Sequence, residues 1–294
     1  MQLKRMYGNI LDVLTYLFGI ETAKQFDTLL RFHKFLNLKN PRTLSEKVCY
    51  LNLHNKSDLI PFCTDKYSVR SYIKDKHLED ILIPLVGGPW NDVDEIDFLK
   101  LPHKCVIKAT HGCKMNYFLT NITNFDLDSC KKKLSEWLGI TYGVYSIEPH
   151  YSKIQPRLYA EKFLDNMDDV VDYKFHCLNG NPEFILTCSN RSIDSNGNMS
   201  VDLDLFDTSW RYIDAIQGYK SERSGGGVVR KPHKLNEMIE IAKKLSSDFK
   251  FVRVDLYEIA DQIYFGELTF SPACCVFPYY TTNFDYEMGS TLII

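Results

Sequence analysis

The chain contains no long uninterrupted apolar run, no internal repeat, no low-complexity segment and no Cys-x-x-Cys motif. Residues 1–20 begin basic and turn apolar, but they are too interrupted for a membrane span and carry no small-residue cleavage site. The nine cysteines are odd in number and irregularly spaced, which fits neither a disulfide framework nor a zinc pair. We therefore expect reduced thiols in a cytosolic protein.

Charges of the two signs are nearly balanced, since the chain has 35 Lys and Arg and 38 Asp and Glu, for a formal net charge of −3. This balance does not suggest a nucleic-acid binder. With 294 residues, of which 45% are hydrophobic and 25% charged, the chain is long enough for one large domain or two lobes. Its 18 tyrosines and 18 phenylalanines fit strands around a large core.

The N-terminal part is predicted to be helical. Residues 8–37 place Leu11, Leu14, Leu17 and Phe18 at helical spacing, which indicates an amphipathic helix packed on the domain. A peripheral contact with a membrane surface is the second interpretation. Residues 43–46 are a capping box that opens another helix, and residues 66–76 predict a further one. A short strand is expected at 81–85, ended by the Gly-Gly-Pro sequence at 87–89.

From residue 104 the pattern becomes rich in strands. A hairpin is expected from 106–109 and 117–119, helices at 126–138 and 235–245, and strands at 157–163, 172–178, 183–188 and 201–206. This order predicts an α+β fold in three parts. They are a mainly helical N-terminal region (1–101), a small lid lobe (102–160) and a larger lobe that carries a metal site (161–294).

Two acids in the C-terminal hairpin are candidate metal ligands. Asp255 and Glu267 each lie on a short apolar strand, where burying an unpartnered acid is costly. Two acids on neighbouring strands would repel each other unless a cation lay between them, and all-oxygen ligands suit Mg²⁺ bound with nucleotide phosphates. The alternative is a pair of exposed hairpin acids.

A lysine and a glycine-containing loop lie upstream. Lys108 is in an apolar strand, and Gly112 in the following turn lets the backbone pass close to a ligand. One fixed cation with exposed backbone N–H groups suits the phosphates of a nucleotide. A surface lysine that extends its ammonium to solvent explains this motif equally well. Together with the Asp255 and Glu267 pair, it suggests ATP with Mg²⁺.

Seven short segments, spread over residues 38–280 in one order, carry a resemblance to a known family. They are NPRTLSEK (40–47), DKYSVR (65–70), IPLVG (83–87), VIKATHG (106–112), DYKF (172–175), FVRVDLY (251–257) and GELTFSP (266–272). In these segments the chain resembles the ATP-grasp superfamily, and within it the TupA-like amidoligases of bacterial surface-polysaccharide clusters. The resemblance implies an ATP-grasp fold in which two α+β lobes sandwich ATP, preceded by an N-terminal helical region.

The resemblance also implies roles in the smaller lobe. Lys108 would hold the α- and β-phosphates, and the loop of His111 and Gly112 would close over the β- and γ-phosphates, with His111 a candidate catalytic residue. Adenine would be read by the backbone of the segment between the lobes, which consists of Glu161, Lys162 and Phe163.

In the larger lobe, the resemblance places Asp172 near the ribose and Lys174 near the phosphates. Asp255 and Glu267 would carry one or two Mg²⁺ ions, with Thr269 as a weaker ligand. Arg253 would face the transferred phosphoryl group, so that Arg253 and Lys174 are candidate catalytic residues. The chain departs from the family at three places: Gly112-Cys113-Lys114 where Gly-Ser-Gly is usual after the histidine, Thr269 where asparagine is common, and Ala273-Cys274-Cys275 where glycine is more frequent.

Structural alternatives exist for several of these residues. Lys174 alternates with aromatic residues and fits a surface strand position, Asp172 could cap a turn, and His111 could hydrogen-bond within its loop. Arg191, between a strand and a polar loop, could bind a substrate carboxylate in bidentate fashion or lie idle on the surface. His150 and His176 are expected to be structural.

The activity implied by the resemblance is ATP-dependent amide formation in the bacterial cytoplasm, with the inner face of the membrane as a second location. The expected partners are a uronic acid on a sugar nucleotide or glycan and an amino acid or other small amine. Three alternatives remain: a sugar kinase on the same scaffold, a glycosyltransferase that consumes no ATP, and a non-catalytic assembly protein with a decayed nucleotide site. The oligomeric state is not predicted.

Overall fold

The computed structural model describes residues 2–122, 125–143, 146–165, 170–193, 199–220 and 222–294. The chain forms two compact units. The lysine unit, named here for Lys108, is Ser57–Asp165, and the carboxylate unit, named for Asp255 and Glu267, comprises Met1–Lys56 and Asn166–Ile294. The three-part functional division expected from the sequence stays a prediction.

The described helices are α1 (Gln2–Phe18), α2 (Ile20–Phe32), α3 (Leu44–His54), α4 (Leu59–Thr64), α5 (Val69–Asp75), α6 (Leu127–Leu138), α7 (Leu235–Ser246) and α8 (Thr282–Thr291). The described strands are β1 (Leu85–Trp90), β2 (Cys105–Ala109), β3 (Asn116–Leu119), β4 (Leu158–Lys162), β5 (Asp172–Leu178), β6 (Asn181–Ile193), β7 (Met199–Asp207), β8 (Tyr212–Ile213), β9 (Glu222–Ser224), β10 (Phe251–Ile259) and β11 (Gln262–Thr269). Helices and antiparallel sheets occur together, which confirms the predicted α+β class.

The carboxylate unit is built on a sheet in the order β11-β10-β5-β6-β7-β8, with β9 added in parallel to β7. Helix α7 packs against the central strands β5, β6 and β10. The opposite face contributes Leu178, Phe184 and Leu186 to an apolar core that also contains residues of α3 and α8. Since successive strand residues point to opposite faces, side chains at 253, 255 and 257 project together on this second face.

The lysine unit is built on a four-stranded antiparallel sheet in the order β1-β4-β2-β3. One face packs on α6, where Cys105, Ile107 and Ala109 meet Cys130, Leu134 and Trp137. Alternation therefore turns Val106 and Lys108 of β2 to the other face. Their cross-strand neighbours on β4 are Glu161 and Tyr159, which project on the same side.

The glycines at 87 and 88 lie inside a strand, so the prediction of a strand at 81–85 ended by them was wrong. Strand β1 starts at Leu85 and continues through Pro89 to Trp90, and residues 79–81 form a 3₁₀ turn. A Cβ atom at Gly87 would come within 2.5 Å of the Trp90 ring, and one at Gly88 within 2.8 Å of the Tyr159 Cα. Glycine is present because the neighbouring backbone and ring approach closely.

The helical prediction for 8–37 was wrong in two respects, since Gly19 divides the segment into α1 and α2, and α2 ends at Phe32. The two helices are joined by Tyr7, whose hydroxyl donates to Asp27 Oδ1 at 2.8 Å. The predicted capping box is confirmed, because the Thr43 hydroxyl accepts from the Glu46 N–H and the Glu46 carboxylate accepts from the Thr43 N–H.

The described part of the chain includes no helix with the length and apolar character needed to cross a membrane. Helix α1 buries Leu11 completely and exposes Ile10, Val13 and Leu17. Contact of this face with a membrane surface stays a prediction.

Candidate active site

The β10–β11 hairpin brings the two predicted acids together. Asp255 and Glu267 are direct partners across the antiparallel ladder, so their side chains lie on the same face. Asp255 is buried and Glu267 is partly exposed at the sheet surface. The prediction that these acids would be neighbours is therefore confirmed in the geometry of the strands.

A bulge at Gly266 sets this register. The ladder pairs Asp255 with Glu267 but Leu256 with Phe265, which leaves Gly266 without a partner. A Cβ atom at Gly266 would lie 2.8 Å from the Tyr257 ring and 3.0 Å from the Asp255 carbonyl oxygen. Without the bulge, Glu267 and Phe265 would project on the same face, so the extra residue lets the acid face the site while the phenylalanine is buried.

Arg253 bridges the two acids. Its Nε donates to Asp255 Oδ1 at 2.7 Å, and its Nη2 donates to Asp255 Oδ2 at 2.8 Å. The same Nη2 donates to Glu267 Oε1 at 3.1 Å and to Thr269 Oγ1 at 3.0 Å. The Thr269 hydroxyl donates to Glu267 Oε1 at 3.0 Å. A cationic nitrogen thus lies between the oxygens of three side chains.

Lys174 and Arg191 extend this network along the sheet. Lys174 is opposite Asp255 on the neighbouring strand, and its Nζ donates to Asp255 Oδ2 at 2.5 Å and lies 3.3 Å from Asp172 Oδ2. Arg191 on β6 pairs with the same Asp172 carboxylate. Seven of the site residues expected in the larger lobe therefore form one connected set. We call Asp172, Lys174, Arg191, Arg253, Asp255, Glu267 and Thr269 the carboxylate network.

Burial and opposite charge act against each other on the titrating groups. Burial alone would lower the pKa of Lys174, but the adjacent Asp255 carboxylate outweighs it and the pKa is raised. Burial would raise the pKa of Asp172, yet the charges of Lys174 and Arg191 hold that pKa below its ordinary value. The lysine is therefore an ammonium and Asp172 a carboxylate at neutral pH.

Tyr257 belongs beside this network, and the sequence reasoning missed it. Its ring lies against Gly266 and near the Asp172 carboxylate. Burial first, and then the charges of Asp172 and Asp255, raise the pKa of Tyr257 well above its ordinary value, so the phenol stays protonated at neutral pH. The signal was available, because 257 continues the 253–255 alternation and ends a segment already noted for its family resemblance.

The donor set fits a magnesium ion. Two carboxylates and a hydroxyl supply only oxygen, which is the ligand type that Mg²⁺ prefers. The geometry of Arg253, whose Nη2 contacts Asp255, Glu267 and Thr269 at once, indicates that these oxygens converge on one cation position. The assignment of Asp255, Glu267 and Thr269 as metal ligands stays a prediction.

A second cluster lies in the lysine unit, where Glu161 holds Lys108. The Lys108 Nζ is 2.5 Å from Glu161 Oε2, and Arg70 Nη1 donates to Glu161 Oε1 at 3.1 Å. Arg70 also donates to the Ile83 carbonyl at 2.8 Å, which fixes the guanidinium. The Glu161 carboxylate therefore orients the lysine. Arg70 was not predicted as a site residue, although it ends the DKYSVR segment.

The loop after β2 packs inward. The His111 ring is buried, with Nε2 3.1 Å from the Trp137 carbonyl oxygen, and burial lowers its pKa. A Cβ atom at Gly112 would lie 2.8 Å from Met115 Sδ and 2.8 Å from the Tyr142 ring. These contacts explain the glycine by packing, while the proposed roles of His111 in catalysis and Gly112 in phosphate binding stay predictions.

The predicted adenine segment straddles the end of β4. The Lys162 N–H donates to the Pro84 carbonyl at 2.9 Å, so this group is already used by the sheet, whereas Phe163 lies beyond the strand end. On the Lys108 face of the sheet, Leu85 is 38% and Phe118 is 60% exposed. They are cross-strand neighbours of Glu161 and Val106, respectively. The lysine thus lies beside an exposed apolar surface.

The sequence model of one protein family, described as TupA-like ATPgrasp, matches residues 46–293. The chain belongs to this family, and its fold is the ATP-grasp fold. None of the curated proteins matches the chain.

Among solved structures, the chain is similar to the D-alanine–D-alanine ligase of Helicobacter pylori, with 13% identity, a TM-score of 0.45, and coverage of 84% of this chain and 67% of that one. It is also similar to the D-alanine–D-alanine ligase of Bacillus anthracis, with 14% identity, a TM-score of 0.43, and coverage of 79% and 64%. Similarity extends to biotin carboxylase from Campylobacter jejuni, with 14% identity, a TM-score of 0.39, and coverage of 72% of this chain and 41% of that one. The chain spans about two thirds or less of the length of these proteins.

Proposed function

We propose that this protein is an ATP-dependent carboxylate–amine ligase that forms an amide through an acyl phosphate. The observation that carries the proposal is the carboxylate network, in which Arg253 bridges Asp255 and Glu267 while Lys174 neutralises Asp255. Membership of the TupA-like ATP-grasp family supports it. A hairpin with two merely exposed acids would not need two buried cations around them.

ATP is proposed to be held first through the lysine unit. Lys108 contacts the α- and β-phosphates, since its ammonium is fixed by Glu161 on the face of the sheet that carries the exposed apolar surface. The exposed apolar surface of Leu85 and Phe118 suits the faces of a purine base. The backbone of the segment ending at Phe163 is the proposed reader of the adenine edge, and the loop of His111 and Gly112 is proposed to cover the terminal phosphates.

Phosphoryl transfer requires positive charge around the γ-phosphate, because the transition state spreads negative charge over its oxygens. The carboxylate network carries three cationic and three anionic side chains. Asp255, Glu267 and Thr269 would hold Mg²⁺, which would supply further positive charge to the β- and γ-phosphates. Lys174 and Arg253 then face the transferred group, and Asp172 is proposed to orient Lys174 and contact the ribose.

The proposed reaction has two steps. A carboxylate oxygen of the acceptor attacks the γ-phosphorus, an O–P bond forms, the bond to the β-phosphate oxygen breaks, and ADP leaves. The amine nitrogen then attacks the acyl carbon, the C–O bond to phosphate breaks, and the nitrogen loses a proton as inorganic phosphate leaves. Water must be excluded until the second step, since it would otherwise hydrolyse the acyl phosphate.

The acceptor acid is proposed to be a uronic acid on a sugar nucleotide or glycan, and the amine an amino acid or small amino alcohol, in surface-polysaccharide biosynthesis. This choice rests on the family. Arg191 is the candidate for the acceptor carboxylate, because its side chain is 47% exposed whereas Lys174 and Arg253 are 13% and 12% exposed. The reaction is proposed to take place in the cytoplasm, with the exposed face of α1 in weak contact with the membrane.

Product analysis tests this proposal. The purified protein is incubated with Mg-ATP, a UDP-uronic acid and a pool of amino acids and amino alcohols, and mass spectrometry follows ADP and any condensed product. The expected result is ADP together with a product lighter than its two precursors by one water. ADP with a phosphorylated sugar would establish a kinase instead, and sugar transfer without ATP consumption would establish a glycosyltransferase.

An ATP-binding titration distinguishes an unsuitable acceptor substrate in the assay from a wrong functional class for the protein. If no ATP is consumed, binding of Mg-ATP to the wild type is compared with binding to Lys108→Ala. Binding that depends on Lys108 keeps the nucleotide site and directs the search to longer glycans as acceptors. No binding by either protein would refute the proposed function.

A further inference from the structure

Three cysteines surround a buried lysine in the carboxylate unit, away from the ladder that carries Asp255 and Glu267. Cys49 on α3 and Cys275 in the turn after β11 are fully buried, as is the side chain of Lys24 on α2. The neighbouring Cys274 is partly exposed. The proposed ligase reaction uses none of these groups.

The helix α3 is fastened to the turn that carries Cys275. The Phe277 N–H donates to the Ser45 hydroxyl at 3.3 Å, and both groups are buried. Ser45 and Cys49 are four residues apart, so they lie on the same face of α3. This contact brings Cys49 against the segment 275–277, and Cys49 and Cys275 belong to one packed core.

Charged side chains surround the two thiols. The Cys49 and Cys275 side chains hydrogen-bond to each other, and the Lys24 ammonium interacts electrostatically with both. Lys24 Nζ is 3.7 Å from Asp27 Oδ2, while Arg31 Nε is 2.6 Å from Asp27 Oδ1. Arg31 also reaches Cys274, with Nη1 at 4.0 Å from Sγ. The cations Lys24 and Arg31 therefore adjoin the cysteines together with Asp27, and the Glu21 carboxylate also acts on Cys49.

This setting favours a thiolate at Cys49. The hydrogen bond from Cys275, and the charge of Lys24, lower the pKa of the Cys49 thiol although burial opposes them. At Cys105 and Cys177 burial is the largest cause instead, and it raises the pKa of Cys105 to about 11 and that of Cys177 to about 12. The thiolate is the nucleophilic form, so the buried cysteines differ in reactivity.

The backbone at Cys275 is also unusual. Ala273, Cys274 and Cys275 have φ values of 49°, 57° and 68°, so three consecutive residues with side chains adopt the left-handed region that glycine prefers. The local sequence does not favour this conformation, so the surrounding packing holds it.

We infer that Cys49 and Cys275 form an oxidant-sensitive dithiol that closes to a disulfide between α3 and the turn after β11. The oxidant is hydrogen peroxide. The Cys49 thiolate attacks one peroxide oxygen, an S–O bond forms, the O–O bond breaks, and the leaving hydroxide takes up a proton to become water. Cys275 then attacks the sulfenic sulfur, its proton passes to the departing hydroxyl, the S–O bond breaks, and a second water leaves.

The electrons balance, since two thiols lose two electrons and the peroxide gains two. Lys24 stabilises the thiolate before the first step and is not consumed. The disulfide would tie α3 to the turn that follows Thr269, and its formation does not depend on the proposed ligase reaction.

Peptide mapping of the full-length protein tests the inference. The reduced protein is exposed to hydrogen peroxide under native conditions, the remaining thiols are alkylated in denaturant, and peptides are analysed without reduction. The expected product is a Cys49–Cys275 cross-linked peptide that lacks two hydrogen atoms and is released by dithiothreitol. Cys49 is expected to lose its free thiol at least about tenfold faster than Cys177, because the pKa of Cys49 is lowered whereas burial raises that of Cys177.

Substitutions supply the controls. Cys49→Ser and Cys275→Ser should each abolish the cross-link, whereas Cys177→Ser, at another fully buried position, should leave it in place. The wild-type measurement decides the inference even if a variant fails to fold. The inference is overturned if Cys49 and Cys275 can still be alkylated after the exposed Cys113 has been oxidised. It is also overturned if the cross-link joins Cys274 to Cys275, or if Cys49 is joined to Lys24 through an added oxygen atom.

Discussion

Replacing Asp255 by asparagine should strongly destabilise the carboxylate unit. The Asp255 carboxylate accepts from Arg253 Nε at 2.7 Å, from Arg253 Nη2 at 2.8 Å and from Lys174 Nζ at 2.5 Å. Asparagine keeps one acceptor oxygen and turns an NH₂ group toward a cation. Two largely buried cations would then lose their main counter-charge, which costs about 3–5 kcal/mol. For a unit of this size, this corresponds to a fall in the unfolding midpoint of about 6–20 °C.

The assay is urea and thermal unfolding at pH 7 without nucleotide. Glu237→Gln is the matched control, because Glu237 pairs with Lys234 on the exposed surface of the same unit, 3.5 Å apart, and should lose about 0.5 kcal/mol or less. Lys174→Met tests the cause. Combined with Asp255→Asn it should cost about 1–3 kcal/mol less than the sum of the single changes, because one cation no longer faces an amide.

The reasoning would be refuted if folded Asp255→Asn unfolded within about 1 kcal/mol of the wild type. It would also be refuted if the two substitutions were additive, since Asp255 and Lys174 would then not be coupled in the folded protein.

The remaining predictions concern three other residues. Glu267→Gln should lower ATP-dependent turnover at least about 100-fold while the fold survives, because a metal ligand is lost; undiminished turnover in the folded variant would remove the metal assignment. Lys108→Ala should raise the Kd for ATP about 10- to 100-fold in a direct titration, whereas substitution of Lys104, which directly precedes β2 and is 52% exposed, by alanine should not; an unchanged Kd for Lys108→Ala contradicts the phosphate role of Lys108. Burial lowers the pKa of His150 to about 4 from 6.5, so the unfolded chain binds the proton first and stability falls by roughly 3 kcal/mol as the pH drops from about 6.5 to 4. His150→Gln should remove that part of the pH dependence in urea titrations, and an identical profile would count against it.

For the β10–β11 hairpin, the sequence pattern predicts the strands and their shared face but not the register. Alternation alone predicts two apolar strands whose acids share a face, because the period of two follows from the strand geometry. It could not give the register, since that depends on where the bulge lies. Gly266 supplies the bulge through its close contact with Tyr257 and the Asp255 backbone, and this contact exists only once both strands are folded.

Long-range partners were harder to predict than elements. Arg70 and Glu161 are 91 positions apart, and nothing local indicates that the arginine fixes the carboxylate that holds Lys108. The family resemblance marked the segments but gave Arg70 no role. Tyr257 was missed for a different reason, since a tyrosine in a strand is ordinarily read as core.

Glycine misled the strand prediction at 87–89. Gly-Gly-Pro is usually a turn signal, but here both glycines are required where β1 runs past the Trp90 ring and the β4 backbone. Conversely, Gly19 was passed over inside a long helical pattern, where it separates α1 from α2. In both places the tertiary environment decided the outcome.

An oxygen-isotope experiment tests the central claim most directly. The acceptor acid identified by product analysis is labelled with ¹⁸O in its carboxylate and turned over with Mg-ATP and the amine. Since a carboxylate oxygen attacks the γ-phosphorus and leaves with it, the account predicts one ¹⁸O atom in the released inorganic phosphate. Phosphate free of the label would contradict the acyl phosphate, and label in AMP would show activation at the α-phosphorus instead.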